Sequence, residues 1–236
     1  MTEPLTVRIE QTILDQMRIA EYSVVCRFCS RRNEVYRIHA SRDDGSVLDF
    51  VYKVYIAGHI ETEYHYLHQT QGVGTPKVLA KGKNALCLEC IDGQLLIERL
   101  EEAEKTNEPF YPYLDMLIDF LARFYEALPG YVYGDINLRN FIIAQDGLYG
   151  IDLEETKHGN IAADIGRTAA YLLTYDPANT PYKKDIADYF INAGADRFSI
   201  SKSEIMDNMR MELDYMRVRR QLRDERARPT ALDKEA

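Results

Sequence analysis

The chain has 236 residues, and its 29 Lys and Arg residues against 38 Asp and Glu residues give a formal charge of −9. A hydrophobic share of 46% with 28% charged residues is typical of a globular protein and excludes a disordered or collagen-like chain. The acidic balance argues against a dedicated nucleic-acid binder, because such a protein needs a basic face to displace counterions.

The first third of the chain predicts a β-rich lobe. Ile9, Ile13 and Met17 recur every four residues and predict a helix over residues 1–20. The following elements are three strands within 22–55, a helix over 59–70, and two strands near 77–81 and 85–91. The last two strands of the 22–55 segment are joined at Asp44-Gly45, a dipeptide that favours a tight turn.

The remaining chain predicts a mainly helical lobe. Apolar residues at i, i+3, i+4 and i+7 predict a strong helix over about 110–127, which Pro129-Gly130 ends. Further helices are expected near 162–174, at 181–191 behind a Thr180 cap, and from Ser201 onward; residues 94–108 are a connector or short helix. We expect a first lobe at 1–92, a helical lobe at 93–228 and a disordered tail at 229–236.

All four cysteines lie in two Cys-x-x-Cys pairs, Cys26/Cys29 and Cys87/Cys90, a pattern that can hold zinc. Both pairs fall in strand-like runs, where residues three apart point to opposite faces of a sheet. We therefore favour reduced, mostly buried thiols, with a zinc site as the alternative. The sequence has no apolar run of about 18 residues and no signal-peptide pattern, so we expect no membrane insertion and a cytoplasmic location.

The residues that can carry chemistry cluster in one segment of the second lobe. Asp146-Gly147 signals a hairpin between two short apolar runs, 141–144 and 148–151. Folding the chain about that turn pairs positions whose numbers sum to about 292, which brings Asn140 beside Asp152. A third oxygen donor, Asp135, lies on the preceding loop.

This donor set suits phosphoryl transfer. A hard cation such as Mg²⁺ takes a few protein oxygen ligands and leaves its other positions to water and phosphate. Transfer of a phosphoryl group also needs a protein cation on the phosphates and a carboxylate near the attacking hydroxyl. Asp135 can serve as that carboxylate, and Lys53, on a predicted strand, can supply the positive charge.

The spacing Asp135-x4-Asn140, followed by Ile151-Asp152-Leu-Glu154, resembles the catalytic and metal-binding loops of the protein-kinase-like fold. It looks most like the small-molecule branch: aminoglycoside phosphotransferases, choline kinases and bacterial lipopolysaccharide core sugar kinases. Those proteins also carry a later Asp-Ile or Asp-Leu that opens a helix, which Asp164-Ile165 resembles. The likeness runs in order over roughly residues 22–175.

The resemblance implies an α+β fold of two lobes, a small antiparallel β lobe with one helix and a mainly helical second lobe. It further implies an ATP- and Mg²⁺-dependent phosphotransferase that moves the γ-phosphate to a hydroxyl of a small molecule or sugar. Asp135 would orient the acceptor hydroxyl and take its proton, Asn140 and Asp152 would hold Mg²⁺, and Lys53 would bind the α- and β-phosphates.

The remaining implied roles concern the nucleotide and the loop supports. Lys53 would pair with Glu63 or Glu61; we prefer Glu63, which lies on the inward stripe of its helix. Ser30 and Arg31 would contact phosphates. The backbone of Glu89 and Ile91 would meet adenine. Asp164 would brace the catalytic loop and can also cap its helix.

Three departures from the protein-kinase pattern leave alternatives open. Tyr133 stands where a His is expected, and the loop at 29–33 lacks glycines; the third departure, Glu154 in place of a Gly, favours the small-molecule branch. A protein Ser/Thr kinase is one alternative, although the short segment from Glu154 to Asp164 leaves little room to dock a peptide. A pseudokinase acting as a binding module is the other. The identity of the acceptor and the oligomeric state are open; we expect the acceptor to lie near carboxylates that attract a cation, among them Glu154, Asp185, Asp188 and Glu212.

Overall fold

The computed structural model describes residues 5–56 and 59–227, with side chains up to residue 222. The predicted tail at 229–236 lies outside the described residues. The chain folds as the expected α+β architecture, with an antiparallel five-stranded sheet in the order β1-β2-β3-β5-β4. The elements of this first part are α1 (Gln11–Met17), β1 (Ile19–Phe28), β2 (Asn33–Arg42), β3 (Val47–Tyr55), α2 (Ile60–Gln69), β4 (Val78–Lys81) and β5 (Ala85–Glu89).

The predicted helix over 1–20 is wrong in extent. The helix ends because Arg18 adopts the left-handed conformation, φ +54°, and the chain enters β1 at Ile19. Apolar residues do recur every four positions here, but the helix that contains them has only about two turns. Ile13 and Met17 are buried with Phe50 and other residues of the outer face of the sheet, so α1 covers that face.

The second part of the chain is mainly helical and surrounds α4. Its elements are β6 (Gly93–Leu95), α3 (Leu96–Thr106), α4 (Tyr111–Ala127), β7 (Tyr131–Val132), β8 (Phe141–Ala144), β9 (Gly147–Gly150), β10 (Lys157–His158), α5 (Ile161–Thr174), α6 (Pro181–Phe198) and α7 (Lys202–Ala227). Leu114, Leu117, Leu121 and Phe124 of α4 are fully buried in the main core. The predicted cap is confirmed, since the Thr180 hydroxyl accepts a hydrogen bond from the Lys183 N–H at 3.2 Å.

The chain passes from the first sheet to a small second sheet through a short connector. β5 stops at Glu89, two residues before the predicted end at 91. Gly93 begins β6, which pairs with β8 through Gly93–Ala144 and Leu95–Ile142. The boundary between the two lobes at residue 92 stays a prediction. The chain passes from the first sheet to the second near this residue. No helix among the described residues combines the length and apolar character needed to cross a membrane.

The cysteines are free thiols that differ in burial. Cys87, in β5, is buried, and this burial raises its pKa to about 12. Cys26 and Cys90 are half-buried. Cys29 is exposed, contrary to the expectation, because it follows the end of β1 in the β1–β2 loop.

Candidate active site

The β8–β9 hairpin forms as expected and brings the polar residues of its open end together. Phe141 pairs with Gly150, and the backbone N–H of Ile151 donates to the carbonyl of Asn140 at 2.8 Å. Asn140 therefore lies opposite Ile151, the residue before Asp152, one position from the predicted register. The Asn140 side-chain amide donates to the backbone carbonyl of Asp135 at 2.9 Å, which ties the preceding loop to the hairpin.

Lys53 contacts three carboxylates on the face of the first sheet that points away from α1. Its Nζ lies 2.6 Å from Glu63 Oε2, 2.9 Å from Asp152 Oδ1 and 2.8 Å from Glu154 Oε1. The alternation of β3 points Lys53 away from α1, and the inward stripe of α2 presents Glu63. Glu61 instead pairs with Lys81 at 2.6 Å on the surface, so Glu63 is the helix partner of Lys53.

The local charge keeps Lys53 protonated. Burial alone would lower the pKa of the Lys53 ammonium, but the neighbouring carboxylates of Glu63, Asp152 and Glu154 outweigh it and raise the pKa above its ordinary value. One ammonium faces three carboxylates, which leaves an excess of negative charge suited to a cation. One oxygen each of Glu63, Asp152 and Glu154 lie within 4.8 Å of one another.

The backbone and the side chain of Asp152 are compatible with the predicted metal-binding role. Its φ of +66° is in the left-handed region, which non-glycine residues rarely occupy and which is found disproportionately at functional sites. The Asp152 carboxylate and the Asn140 amide oxygen are the ligand types that hard divalent cations take. These residues therefore fit the divalent ion that the sequence predicts.

Asp135 is half-buried near Asp152. Burial, followed by the negative charge of Asp152, raises the pKa of the Asp135 carboxyl above its ordinary value. A carboxylate with a raised pKa is a better proton acceptor at neutral pH than an exposed one. Its position is thus compatible with the predicted role toward an acceptor hydroxyl.

Asp164 holds the backbone of residues 133–140, which we call the catalytic loop after the role that the resemblance implies for Asp135. Its fully buried carboxylate accepts from the N–H groups of Tyr133 at 2.6 Å and Gly134 at 3.2 Å, and from the Tyr125 hydroxyl at 3.0 Å. The cap assignment was wrong: Asn160 caps α5, and Asp164 lies in the first turn. Gly134 has φ +89°, and a Cβ there would stand 2.1 Å from the carbonyl oxygen of Glu155, so only glycine fits.

Tyr133 has a structural role that the sequence did not reveal. Its ring is fully buried against Phe120, Phe124 and Phe141, and its hydroxyl donates to the carbonyl of Ile151 at 2.6 Å. Tyr133 thus anchors the catalytic loop to the strand that leads into Asp152. The aromatic residues of α4 and β8 are the sequence signal from which this packing role of Tyr133 could have been inferred.

The β1–β2 loop is tied to the segment after Asp152. Arg32 forms an ion pair with Glu155, and the Asn33 amide donates to Glu154, which also contacts Lys53. Asn33 Oδ1 and Glu154 Oε2 are buried and have no hydrogen-bond partner among the described residues. The sequence analysis did not single out Asn33, which is the first residue of β2 and is buried.

The other predicted nucleotide-binding residues belong to the β1–β2 loop and to the end of β5 with the connector after it. Ser30 Oγ accepts from the Asn33 N–H at 3.3 Å, and Arg31 is exposed in the same loop. Glu89 ends β5 and Ile91 follows in the connector, half-buried. Their contacts with phosphate and adenine stay predictions.

The attraction of a cationic acceptor by four carboxylates stays a prediction, and two of the four already form ion pairs in the structure. Glu154 is engaged by Lys53 and Asn33, and Glu212 by Arg167 and Arg219. These cations offset part of the negative charge of both carboxylates.

Residues 21–160 match the family model of the RIO domain, which is more than half of the chain. The chain belongs to this family. The RIO domain family is an atypical protein-kinase-like family with ATP-dependent phosphotransfer activity, and its members are often protein kinases or ATPases. The predicted kinase-like fold is confirmed, whereas the match does not single out the small-molecule branch.

Proposed function

We propose that this RIO-domain protein transfers the γ-phosphate of ATP to a hydroxyl group of a small molecule or sugar, with Mg²⁺ held by Asn140 and Asp152. One observation carries the proposal: Lys53 of the first sheet meets Asp152 at 2.9 Å, at the end of the hairpin that also positions Asn140 and Asp135. These are the protein cation, the metal ligands and the carboxylate that phosphoryl transfer needs.

In the proposed mechanism, Lys53 binds the α- and β-phosphates, and Glu63 fixes its ammonium. Bound Mg²⁺ supplies positive charge that offsets the charge building up on the phosphate oxygens. Asp135 orients the acceptor hydroxyl and accepts its proton as the acceptor oxygen bonds to the γ-phosphorus and the bond to the bridging β,γ-oxygen breaks. Glu154 and the phosphates both bind the Lys53 ammonium in this mechanism. We therefore expect the contact between Glu154 and Lys53 to break when ATP binds.

The length of the segment after the metal-binding loop supports a small acceptor. Only residues 156–160 separate the 3₁₀ turn that ends at Glu155 from α5, and two of them, Lys157 and His158, pair with β7. Such a short, paired segment offers little surface to hold an extended peptide. Family membership favours the second candidate, a protein kinase, and the glycine-poor loop favours the third, a catalytically weak pseudokinase that acts as a binding module.

ATP turnover by the purified protein, with Mg²⁺ and a panel of sugars, amino alcohols and protein substrates, tests these candidates. We expect a hydroxyl compound to stimulate ADP release and to become phosphorylated. Asp135→Ala should abolish turnover while far-UV circular dichroism stays unchanged; the exposed turn variant Asp146→Asn is the control. Near-normal turnover by Asp135→Ala would reject the assignment. Labelling of protein alone would favour the protein kinase, and nucleotide binding without turnover the pseudokinase.

A further inference from the structure

Arg167 of α5 contacts the same loop that Asp164 holds. It lies one turn after Asp164, and its guanidinium donates to the backbone carbonyl of Gly134. The same guanidinium lies 3.8 Å from Asp164 Oδ1. The side chain is three-quarters buried, so these contacts are largely shielded from water.

The two side chains of α5 hold both ends of one glycine. Asp164 accepts from the Gly134 N–H at 3.2 Å, and Arg167 donates to the Gly134 carbonyl. That carbonyl belongs to the peptide unit that joins Gly134 to Asp135. Because a peptide unit is planar and turns as a whole, the contact with Arg167 fixes the direction in which the chain enters Asp135.

Arg167 is itself held by the C-terminal helix. Its Nε lies 3.3 Å from Glu212 Oε2 of α7, and Glu212 also accepts from Arg219. The two helices meet closely beside this pair, since a Cβ on Gly166 would lie 2.6 Å from the carbonyl oxygen of Ile205 and 2.7 Å from the Met209 nitrogen. The close packing at Gly166 leaves Glu212 within reach of Arg167.

We infer that Arg167, oriented by Glu212 of α7, is a positioning residue that fixes the Gly134–Asp135 peptide and thereby the Asp135 carboxylate. The inference rests on the proposed function, in which Asp135 faces the acceptor hydroxyl. It extends that function to α7, which holds Arg167 through Glu212. A guanidinium suits this role because its planar fork can serve Gly134 and Glu212 at once.

A positioning role and a purely structural role predict different kinetics. Misplacement of a reacting group by about 1 Å can cost roughly 100-fold in rate. We expect Arg167→Gln to lower kcat by about 10- to 100-fold while the KM for ATP changes less than about two-fold, because Lys53 and Asp152 are untouched. Arg167→Lys should retain part of the wild-type kcat, since an ammonium can still donate to Gly134. It binds Gly134 and Glu212 together less well than the planar guanidinium does. Glu212→Gln should lower kcat in the same direction by a smaller factor.

The control is Arg197→Gln, an exposed arginine of α6 whose only described ion pair is a 4.0 Å contact with Asp119. Urea unfolding of each variant separates a loss of folded protein from a loss of positioning. An unchanged kcat in Arg167→Gln would overturn the inference. So would a parallel loss of kcat, ATP affinity and stability that Arg167→Lys does not relieve.

Hydrogen–deuterium exchange in peptides covering 131–140 tests the inference independently of turnover. We expect faster exchange in Arg167→Gln and Glu212→Gln than in the wild type, at unchanged global stability, and no change in Arg197→Gln. Equal exchange in wild type and Arg167→Gln would overturn the positioning role. A wild-type protein without any turnover would contradict the proposed function instead, and the exchange result would still decide whether Arg167 fixes the loop.

Discussion

Replacing Lys53 by Met removes the one ammonium that neutralises two buried carboxylates. The side chains of Glu63 and Glu154 are 1% and 4% exposed, whereas Asp152 is 44% exposed and is screened by water. Breaking a buried ion pair on one side costs about 3–5 kcal/mol, because the remaining charge has no partner. We expect Lys53→Met to lose stability by this amount in urea unfolding at pH 7.5, followed by circular dichroism.

A second substitution separates the buried charge from the loss of packing. In Lys53→Met/Glu63→Gln one uncompensated carboxylate is gone, and the introduced amide oxygen can still accept from the Tyr55 hydroxyl that contacts Glu63 in the wild type. We expect the double variant to regain about 1–2 kcal/mol relative to the single variant. The exposed control Lys105→Met should change stability by less than about 0.5 kcal/mol.

The stability deficit of Lys53→Met should depend on pH in a defined direction. Burial raises the pKa of Glu63 even beside Lys53, and loss of the ammonium raises it further. The folded state then binds this proton more tightly than the unfolded state, so the deficit is full above the folded pKa and fades as pH falls through it. A deficit below about 1 kcal/mol at pH 7.5, a double variant no more stable than the single one, or a deficit larger at pH 5 than at pH 8 would refute the reasoning.

Three further perturbations probe the loop supports, the Glu154 contact and the thiols. Asp164→Asn should destabilise the protein by about 2–4 kcal/mol in urea unfolding, because one amide oxygen must replace a carboxylate that accepts three buried donors. Glu154→Gln should lower the KM for ATP by roughly two- to five-fold, or about 0.5–1 kcal/mol, since Lys53 loses a competitor for phosphate. Ellman's reagent should modify exposed Cys29 quickly and Cys87, whose burial raises its pKa to about 12, only on unfolding; ATP with Mg²⁺ should slow the reaction of Cys29.

Each of these has a clear contrary result. A stability change below about 0.5 kcal/mol in Asp164→Asn would mean that the carboxylate is not needed by the loop. A KM for ATP that rises in Glu154→Gln would mean that this carboxylate assists binding. Fast modification of Cys87 in the native protein would contradict its burial in β5.

The parts of the site that were predictable depend on local patterns. The Asp-Gly turn and two apolar runs specify the β8–β9 hairpin, which brings Asn140 next to the residue before Asp152. The stripe of α2 selects Glu63 over Glu61 because helical periodicity decides which side chain points inward. Such patterns involve residues that are close together in the chain, so they can be recognised in the sequence alone.

The parts that were missed depend on how distant segments approach one another. Asn33 and Glu154 are 121 residues apart in the sequence, and Arg167 and Glu212 are 45 residues apart. No local sequence pattern therefore predicts either contact. The end of α1 was missed for a different reason, because a left-handed Arg18 carries no clear sequence signal. Asp164 braces the loop as the resemblance implied, but it does not also cap its helix, because α5 begins at Ile161 and its cap is Asn160.

Thermal unfolding with and without ATP and Mg²⁺ tests most directly whether Lys53, Asn140 and Asp152 form one nucleotide–metal site. A ligand that binds only the folded protein stabilises it by about 2.7 kcal/mol at 100 times its Kd. We expect ATP with Mg²⁺ to raise the Tm of the wild type, EDTA to remove most of this shift, and Asp152→Asn to lose the Mg²⁺-dependent part while keeping its fold. No shift at millimolar ATP, or an equal Mg²⁺-dependent shift in Asp152→Asn, would contradict the account.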